Sequence, residues 1–376
     1  MHHTEETRAL QSLVGKLGAQ YQAPLEQKLL RGASVEDDDY GPGQEAARLA
    51  GLWGLDVPAE FGGAALSMSH RVAITEQNYR CLTPLRFGGR AIPILFELRG
   101  DQKRKFLDPI LADEMRFAFA QTEPHGGSDP GGTMRTTAKK TEAGWVINGT
   151  KVFISLVARA DYIFVFAVTD AAKRQRGGIS MFAVHRDNPG IKLMRPIQML
   201  GGFVTHELIF EDCEVADEDL LSVDGNGFRA AQKALSDARF DVAARALGIA
   251  QRCYEMMVDY AKQRVVFGGP LSDKQAIQSM IVDSWVEIHQ ARLTLYDGAA
   301  KQDAGLDTRV EAGLVKMLAT ELVCRVIDRA IQVYGAAGCA LDNPLAHWYN
   351  SQRLARIYEG PTELHKYRVL ARHLLG

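Results

Sequence analysis

The stretch "WVINGTKVFI" (145–154) lies between long segments of helical character. Two short runs rich in β-branched and aromatic residues meet at Asn148-Gly149, a pair suited to the left-handed backbone of a two-residue hairpin turn. The stretch therefore predicts a β-hairpin, and its surroundings extend the pattern. "YIFVFAV" (162–168), "ISMFAV" (179–184) and "HELIFEDCEV" (206–215) read as further strands, and "RDNPG" (186–190) as a turn. Alternation and turn chemistry hold from about Phe117 to Val223.

On both sides the period changes. Between Thr7 and about Asp113, Leu10, Leu13, Val14 and Leu17 recur at helical steps, and Val72, Ile74, Tyr79 and Leu82 do so more loosely. After Gly227, Ala246, Ile249, Ala250, Cys253, Met256, Met257 and Tyr260 form one apolar stripe. A second helix is predicted from Asp273 to about Lys301 and a third from about Val310 to Val333, separated by "GLDTR" (305–309). Segregated elements of this kind predict a mainly α chain with an inserted β domain, not a doubly wound sheet. The expected boundaries are 1–115 for an N-terminal helical domain, 116–225 for a central β domain and 226–376 for a C-terminal helical domain.

Lys and Arg total 44 and Asp and Glu 46, a net charge of −2, which gives no electrostatic reason to expect nucleic acid or an anionic membrane as a partner. The five cysteines are scattered without C-x-x-C spacing and predict small buried residues in a reducing compartment, with no metal site. "MHHTEETRALQSL" (1–13) lacks the apolar core of a signal peptide, and "YIFVFAV" is too short to span a bilayer. The expected location is cytoplasmic.

Three segments could carry chemistry. "FAFAQTEPHGGSDPGG" (117–132) offers the Thr122 and Ser128 hydroxyls and exposed N–H groups, and reads either as a ligand loop or as turns opening a β domain; it lacks the order of a phosphate loop. "RVVFGGPLSDKQ" (264–275) reads on its own as a helix end followed by a turn. "QVYGAAGCALDNPLAHWYN" (332–350) reads as close helix packing and a Pro-containing loop.

The order and spacing of these segments resemble the acyl-CoA dehydrogenase family, from about residue 45 to the C-terminus. The family's T-E-P-x-x-G-S-D appears as Thr122 to Asp129, its N-G-x-K-x-[WF]-I as Asn148 to Ile154, and its Y-A-x-x-R-x-x-F-G as Tyr260 to Gly268 followed by Gln275. Its Q-x-x-G-x-x-G appears as Gln332, Gly335 and Gly338, and its Y-E-G as Tyr358-Glu359-Gly360. The resemblance implies a central β-barrel or sandwich domain, a C-terminal four-helix bundle and bound FAD. It implies that Thr122 and Ser155 hydrogen-bond the flavin ring while Phe119, Gln121, Phe153 and Ile154 line it. Arg264, Phe267, Gln275, Gln332, Gly335 and Ala336 look like the set that grips the ADP half of FAD from a neighbouring subunit, in a homodimer or homotetramer, with Thr362 also near the cofactor. Ser128, Arg239 and Gly360 occupy positions that border the CoA thioester. Departures are Pro361 and Glu363 for the family's usual Thr and Gln, and Phe203 for a frequent serine near CoA.

The resemblance gives Glu359 a role. Oxidising an acyl-CoA thioester to its 2-enoyl form needs a base for the α-proton and an acceptor for the hydride leaving Cβ, and a carboxylate in a dry pocket has its basicity raised. The alternative for Glu359 is an ion pair with Arg356 or Lys366. Arg80, 22 residues before Gln102, resembles an arginine that glutaryl-CoA dehydrogenase turns on its substrate's distal carboxylate; the alternative is an ordinary ion-paired arginine, with Glu76 as partner. The implied activity is α,β-dehydrogenation of an acyl-CoA, with electrons passed to an electron-transfer flavoprotein. A related oxidase, reductase or nitroalkane-type oxidase, or a non-catalytic scaffold on the same fold, stands as the alternative.

Overall fold

The computed structural model describes residues 4–89, 91–221 and 225–376; Val223, taken above as the end of the β stretch, lies outside them. The longer elements are helices α1 (Glu5–Leu17), α2 (Ala23–Leu30), α3 (Gly41–Leu49) and α4 (Met68–Asn78), then strands β1 (Phe117–Ala120), β2 (Thr137–Thr141), β3 (Gly144–Ser155), β4 (Tyr162–Val168), β5 (Ile179–His185), β6 (Ile191–Gln198) and β7 (Val204–Val215), then helices α5 (Gly227–Gln263), α6 (Gln275–Asp303), α7 (Arg309–Tyr334) and α8 (Pro344–Gln352). A last helical run is interrupted: Thr362–Leu364, a π-type turn at His365–Leu370, and Ala371–Leu375. The chain is mainly α with an inserted β domain, as the change of period requires. It divides into two compact units, one of the residues up to Phe87 with Ser236–Gly376, the other Gly88–Leu235.

In the helical unit the predicted stripe on α5 is the core. Ala246, Ile249, Ala250, Cys253 and Met257 are buried in one cluster with Leu295 of α6, Val323 and Ile327 of α7, and Val72 and Ala73 of α4. Helix α4 belongs with the C-terminal helices because Gly248 lets the two backbones touch; a Cβ there would lie 2.1 Å from the Glu76 carbonyl oxygen. Val14 and Ile74 anchor a second cluster with Ala47, Leu52 and Leu85. Deleting a buried leucine such as Leu247 costs about 2–5 kcal/mol by general experience.

The β unit is one seven-stranded sheet in the order β1-β4-β2-β3-β7-β6, with β5 paired to β4. Here the opening prediction is corrected. The hairpin turn lies between Thr141 and Gly144, and β3 runs straight through Asn148-Gly149. The pair marks a β-bulge instead, a register shift against β7 between Ile147 and Gly149. Asn148 Oδ1 accepts from Asp212 N (2.9 Å), and Gly149 at φ +153° passes so close to Thr136 that a Cβ would lie 2.4 Å from its hydroxyl oxygen. Glycine is needed for closeness, not for a turn.

Candidate functional site

Helix α8 ends at Gln352 and a 3-10 turn, Arg353–Arg356, follows it. Glu359 (φ +54°) and Gly360 (φ +94°) are then both left-handed. For a residue with a Cβ this conformation costs about 1–2 kcal/mol. Gly360 is obligatory, since a Cβ would meet Leu364 at 2.9 Å and His365 Nε2 at 3.0 Å. Pro361 resets the backbone to extended and the next helix starts at Thr362.

The carboxylate at this break is unpaired in a specific sense. Glu359 Oε2 is shielded from solvent and has no hydrogen-bond partner. Arg356 does not reach it: its Nε donates to Glu321 (2.7 Å), which also accepts from the Thr362 hydroxyl (2.6 Å). Burial raises the Glu359 carboxyl above the ordinary range, against the pull of Arg239, Lys316 and Arg245. Arg239 Nε donates to the Glu359 carbonyl oxygen (3.1 Å), and Lys316 Nζ to the Gly360 carbonyl oxygen (2.6 Å). His365, fully buried beneath the turn, has both ring nitrogens without a partner, and desolvation, its largest cause, pushes it down to about 4. It is a neutral wall at ordinary pH.

In the β unit, the predicted ring-lining residues gather at the end of β3. Val152 N donates to the Thr122 carbonyl (3.0 Å), which ties the loop after β1 to that strand. A second bulge, between Lys151 and Ile154, puts Phe153 at φ +58° and leaves it 54% exposed; Leu156, also left-handed, is 60% exposed. Ser155 is exposed beside them and Phe119 half-buried against Phe166. Gln121 Nε2 is a buried donor without a partner. Apolar side chains thrown outward beside an orphaned donor fit the face and polar edge of a flavin ring. The Ile154 side chain is buried in the sheet's core, which leaves its backbone to face a ligand. Thr362 is buried and its hydroxyl donates to Glu321.

Beneath this lip lies a pair that inspection of the chain missed. Lys151 Nζ, fully buried, donates to Glu123 (2.9 Å) and to the Gln121 carbonyl (3.2 Å), while Glu123 accepts from the N–H groups of Arg135 (2.6 Å) and Thr136 (2.9 Å). Desolvation pulls Lys151 down to about 8 against the attraction of Glu123. Both residues stand inside motifs quoted above, Glu123 in Thr122 to Asp129 and Lys151 in Asn148 to Ile154, but neither was given a role there. Lys316 had a different signal, a lysine within the apolar run "GLVKMLA" (313–319).

The remaining predicted positions belong to the helical unit, apart from Ser128, which is exposed in the β unit's loop. Arg264, Phe267, Gln275, Gln332, Gly335 and Ala336 are all exposed. Phe267, at φ +50° on the tip of a small hairpin (Val265–Val266 with Gly269–Pro270), is 99% exposed. Their exposure leaves the whole set open to a ligand. Arg80 pairs with Glu255, not Glu76, whose partner is Arg292 (2.7 Å). Both sides of that network face a polar cavity of about 330 Å³ lined by Gln11, Glu76, Gln77, Arg80, Gln251 and Arg292. Among the described residues no cluster of His, Cys, Asp and Glu could hold a metal ion, and no helix is long and apolar enough to cross a membrane.

Comparison with known proteins covers nearly the whole chain. Residues 4–114, 118–213 and 225–375 match, in turn, the acyl-CoA dehydrogenase N-terminal, middle and C-terminal domains. An acyl-CoA dehydrogenase of Bacillus subtilis is 33% identical over 386 residues, covering all of both chains. The (R)-benzylsuccinyl-CoA dehydrogenase of Thauera aromatica is 33% identical over 96% of this chain and 94% of its own. The solved butyryl-CoA dehydrogenase of Megasphaera elsdenii, 28% identical, superposes over the full length of both with a TM-score of 0.84.

Proposed function

Because this chain belongs to the acyl-CoA dehydrogenase family, FAD-dependent oxidoreductases acting on CH–CH groups, we propose that Glu359 is the base that takes the α-proton of an acyl-CoA thioester. The observation that carries this reading is the shielded, partnerless Oε2 at a left-handed turn, with its proton affinity raised by burial. A carboxylate oxygen with no hydrogen bond to break is free to take a proton, and a dry surround raises its basicity toward that of a useful general base against the pull of the nearby cations. Arg239 and Lys316 hold the two carbonyls of the turn, so the side chain approaches the substrate from a fixed platform. The Glu359 backbone N–H and Gly360 border the thioester carbonyl, and a donor aimed there acidifies the α-proton. Arg239 gives its Nε to the Glu359 carbonyl, which leaves its terminal nitrogens to border the CoA arm.

Bound FAD supplies the acceptor for the hydride that leaves Cβ. Phe119, Gln121, Thr122, Phe153 and Ser155 would hold its ring, with Ile154 contributing backbone. Arg264, Phe267, Gln275, Gln332, Gly335 and Ala336 would hold its ADP half in a second copy of the chain, so the working form is a homodimer or homotetramer. An electron-transfer flavoprotein is the electron acceptor in this reading. Ser128 lies on the CoA side.

The acyl group is the finer question. Arg80 is neutralised by Glu255, so a dicarboxylyl substrate would have to displace that partner; a monocarboxylyl acyl group is favoured. A panel of mono- and dicarboxylyl-CoA substrates decides it, and a marked preference for the latter overturns this choice. For the base, anaerobic addition of acyl-CoA should bleach the flavin absorbance, and Glu359→Gln should abolish bleaching while flavin stays bound. Undiminished bleaching in that variant sinks the assignment.

A further inference from the structure

We propose that Lys316 is a positioning residue for this reaction, anchoring the left-handed turn through the Gly360 carbonyl and setting the basicity of Glu359 by its charge. The proposal rests on Glu359 being the base. Lys316 lies on α7 with no exposed surface, flanked by the buried Val315 and Ala319. Its Nζ sits 2.6 Å from the Gly360 oxygen, a neutral acceptor that cannot cancel its charge. Taking an ammonium out of water for a single carbonyl is expensive, and an apolar residue of similar shape would serve stability better. A group retained against that cost points to function.

The geometry shows what it does. Two cations from two helices, Arg239 on α5 and Lys316 on α7, donate to the successive carbonyls of Glu359 and Gly360, the two left-handed residues. Each peptide plane of the turn is therefore pinned, and the Glu359 side chain cannot swing with its backbone. The charged groups around Lys316 are Glu359, Arg239, Glu321 and Glu363. Those around Glu359 are Arg239, Lys316, Arg245 and Asp241, with the neutral His365 beneath. Glu321 already bonds Arg356 and Thr362, and of the three carboxylates around Lys316 it is Glu359 that attracts it most, ahead of Glu321 and Glu363. Desolvation brings the Lys316 amine down to about 8, so it is charged near neutrality and loses its charge on the alkaline side.

The test is the pH profile of kcat for wild type, Lys316→Met, Lys316→Gln and Lys316→Arg, with flavin content as the control for folding. Removing the cation should move the acidic limb up by about one unit or more, since an opposite charge at this range shifts a carboxylate by that amount. In Lys316→Met kcat should fall at least tenfold with little change in KM. Lys316→Gln keeps a donor without the charge and should show the same limb shift with a smaller loss of kcat; Lys316→Arg should return the limb toward wild type. Limbs that superimpose on wild type in both neutral variants overturn the proposal. If neither neutral variant retains flavin, Lys316→Arg decides: with the charge kept its acidic limb should superimpose on wild type, and a limb displaced by about one unit or more overturns the proposal. Glu359→Gln separates the two claims: turnover in that variant defeats the base assignment, whereas an inactive Glu359→Gln beside an unshifted Lys316→Met defeats this proposal alone.

Discussion

Glu359, Gly360 and His365 form a small device in which each residue type is demanded by its neighbours. The ring of His365 packs where a Gly360 Cβ would be, and within 3.1 Å of where one on Gly313 would be, so three positions exclude larger side chains together. The His365 pKa has a consequence for stability. Its folded value, about 4, lies below the ordinary 6.5, so the folded state binds fewer protons in that window and stability falls as the pH drops from 6.5 to about 4. The loss amounts to about 3 kcal/mol by linkage. Denaturant unfolding of wild type and His365→Leu at pH 7 and pH 4.5 should show the variant losing less over that interval; equal losses would remove His365 as the cause. Gly360→Ala should cost activity and stability together, since the added Cβ meets two side chains at about their contact limit and forces a left-handed alanine.

Strand β3 shows why a local signal can be right about chemistry and mistaken about place. Asn148-Gly149 announces a departure from regular strand, and the structure confirms one, but as a bulge within β3 and not as the reversal between two strands. Period and composition cannot tell these apart, because both need the same backbone freedom. The second bulge reverses which side chains face inward, so Phe153 points out and Ile154 in; only pairing with β7 determines that. The buried Lys151–Glu123 pair below it tests the same region. Lys151→Met or Glu123→Leu alone should destabilise by about 3–5 kcal/mol, as removing one partner of a buried pair does, and should loosen flavin binding. The double replacement should cost well under the sum of the singles. Additive losses in a double-mutant cycle would mean the two groups act independently.

Across the whole chain, both compact units expose large apolar side chains, Phe153 and Leu156 in the β unit among them. The helical unit presents Phe267 on its hairpin tip, and α6 carries a stripe of Val282, Trp285, Val286 and Leu293 at helical spacing, all exposed. Phe267→Ser should leave the helical content unchanged while lowering flavin retention, measured as flavin per chain after gel filtration. Light scattering on the same fractions reports the assembly. Full flavin retention by the variant would remove Phe267 from the cofactor set.

What the sequence by itself determined is the order of helix, strand and helix and the core stripe of α5, legible because periodicity is a property of the chain. Glu359 was singled out by the resemblance of its motif to the family, not by period or composition. What only the tertiary structure decided is which charged groups go inside and whom they meet. Lys316 reaches Gly360 from 44 residues away, Lys151 reaches Glu123 from 28, and Arg80 finds Glu255 where Glu76 was expected. A buried charge is tolerated only where the folded backbone brings it a partner, and that partner is chosen by packing between distant elements.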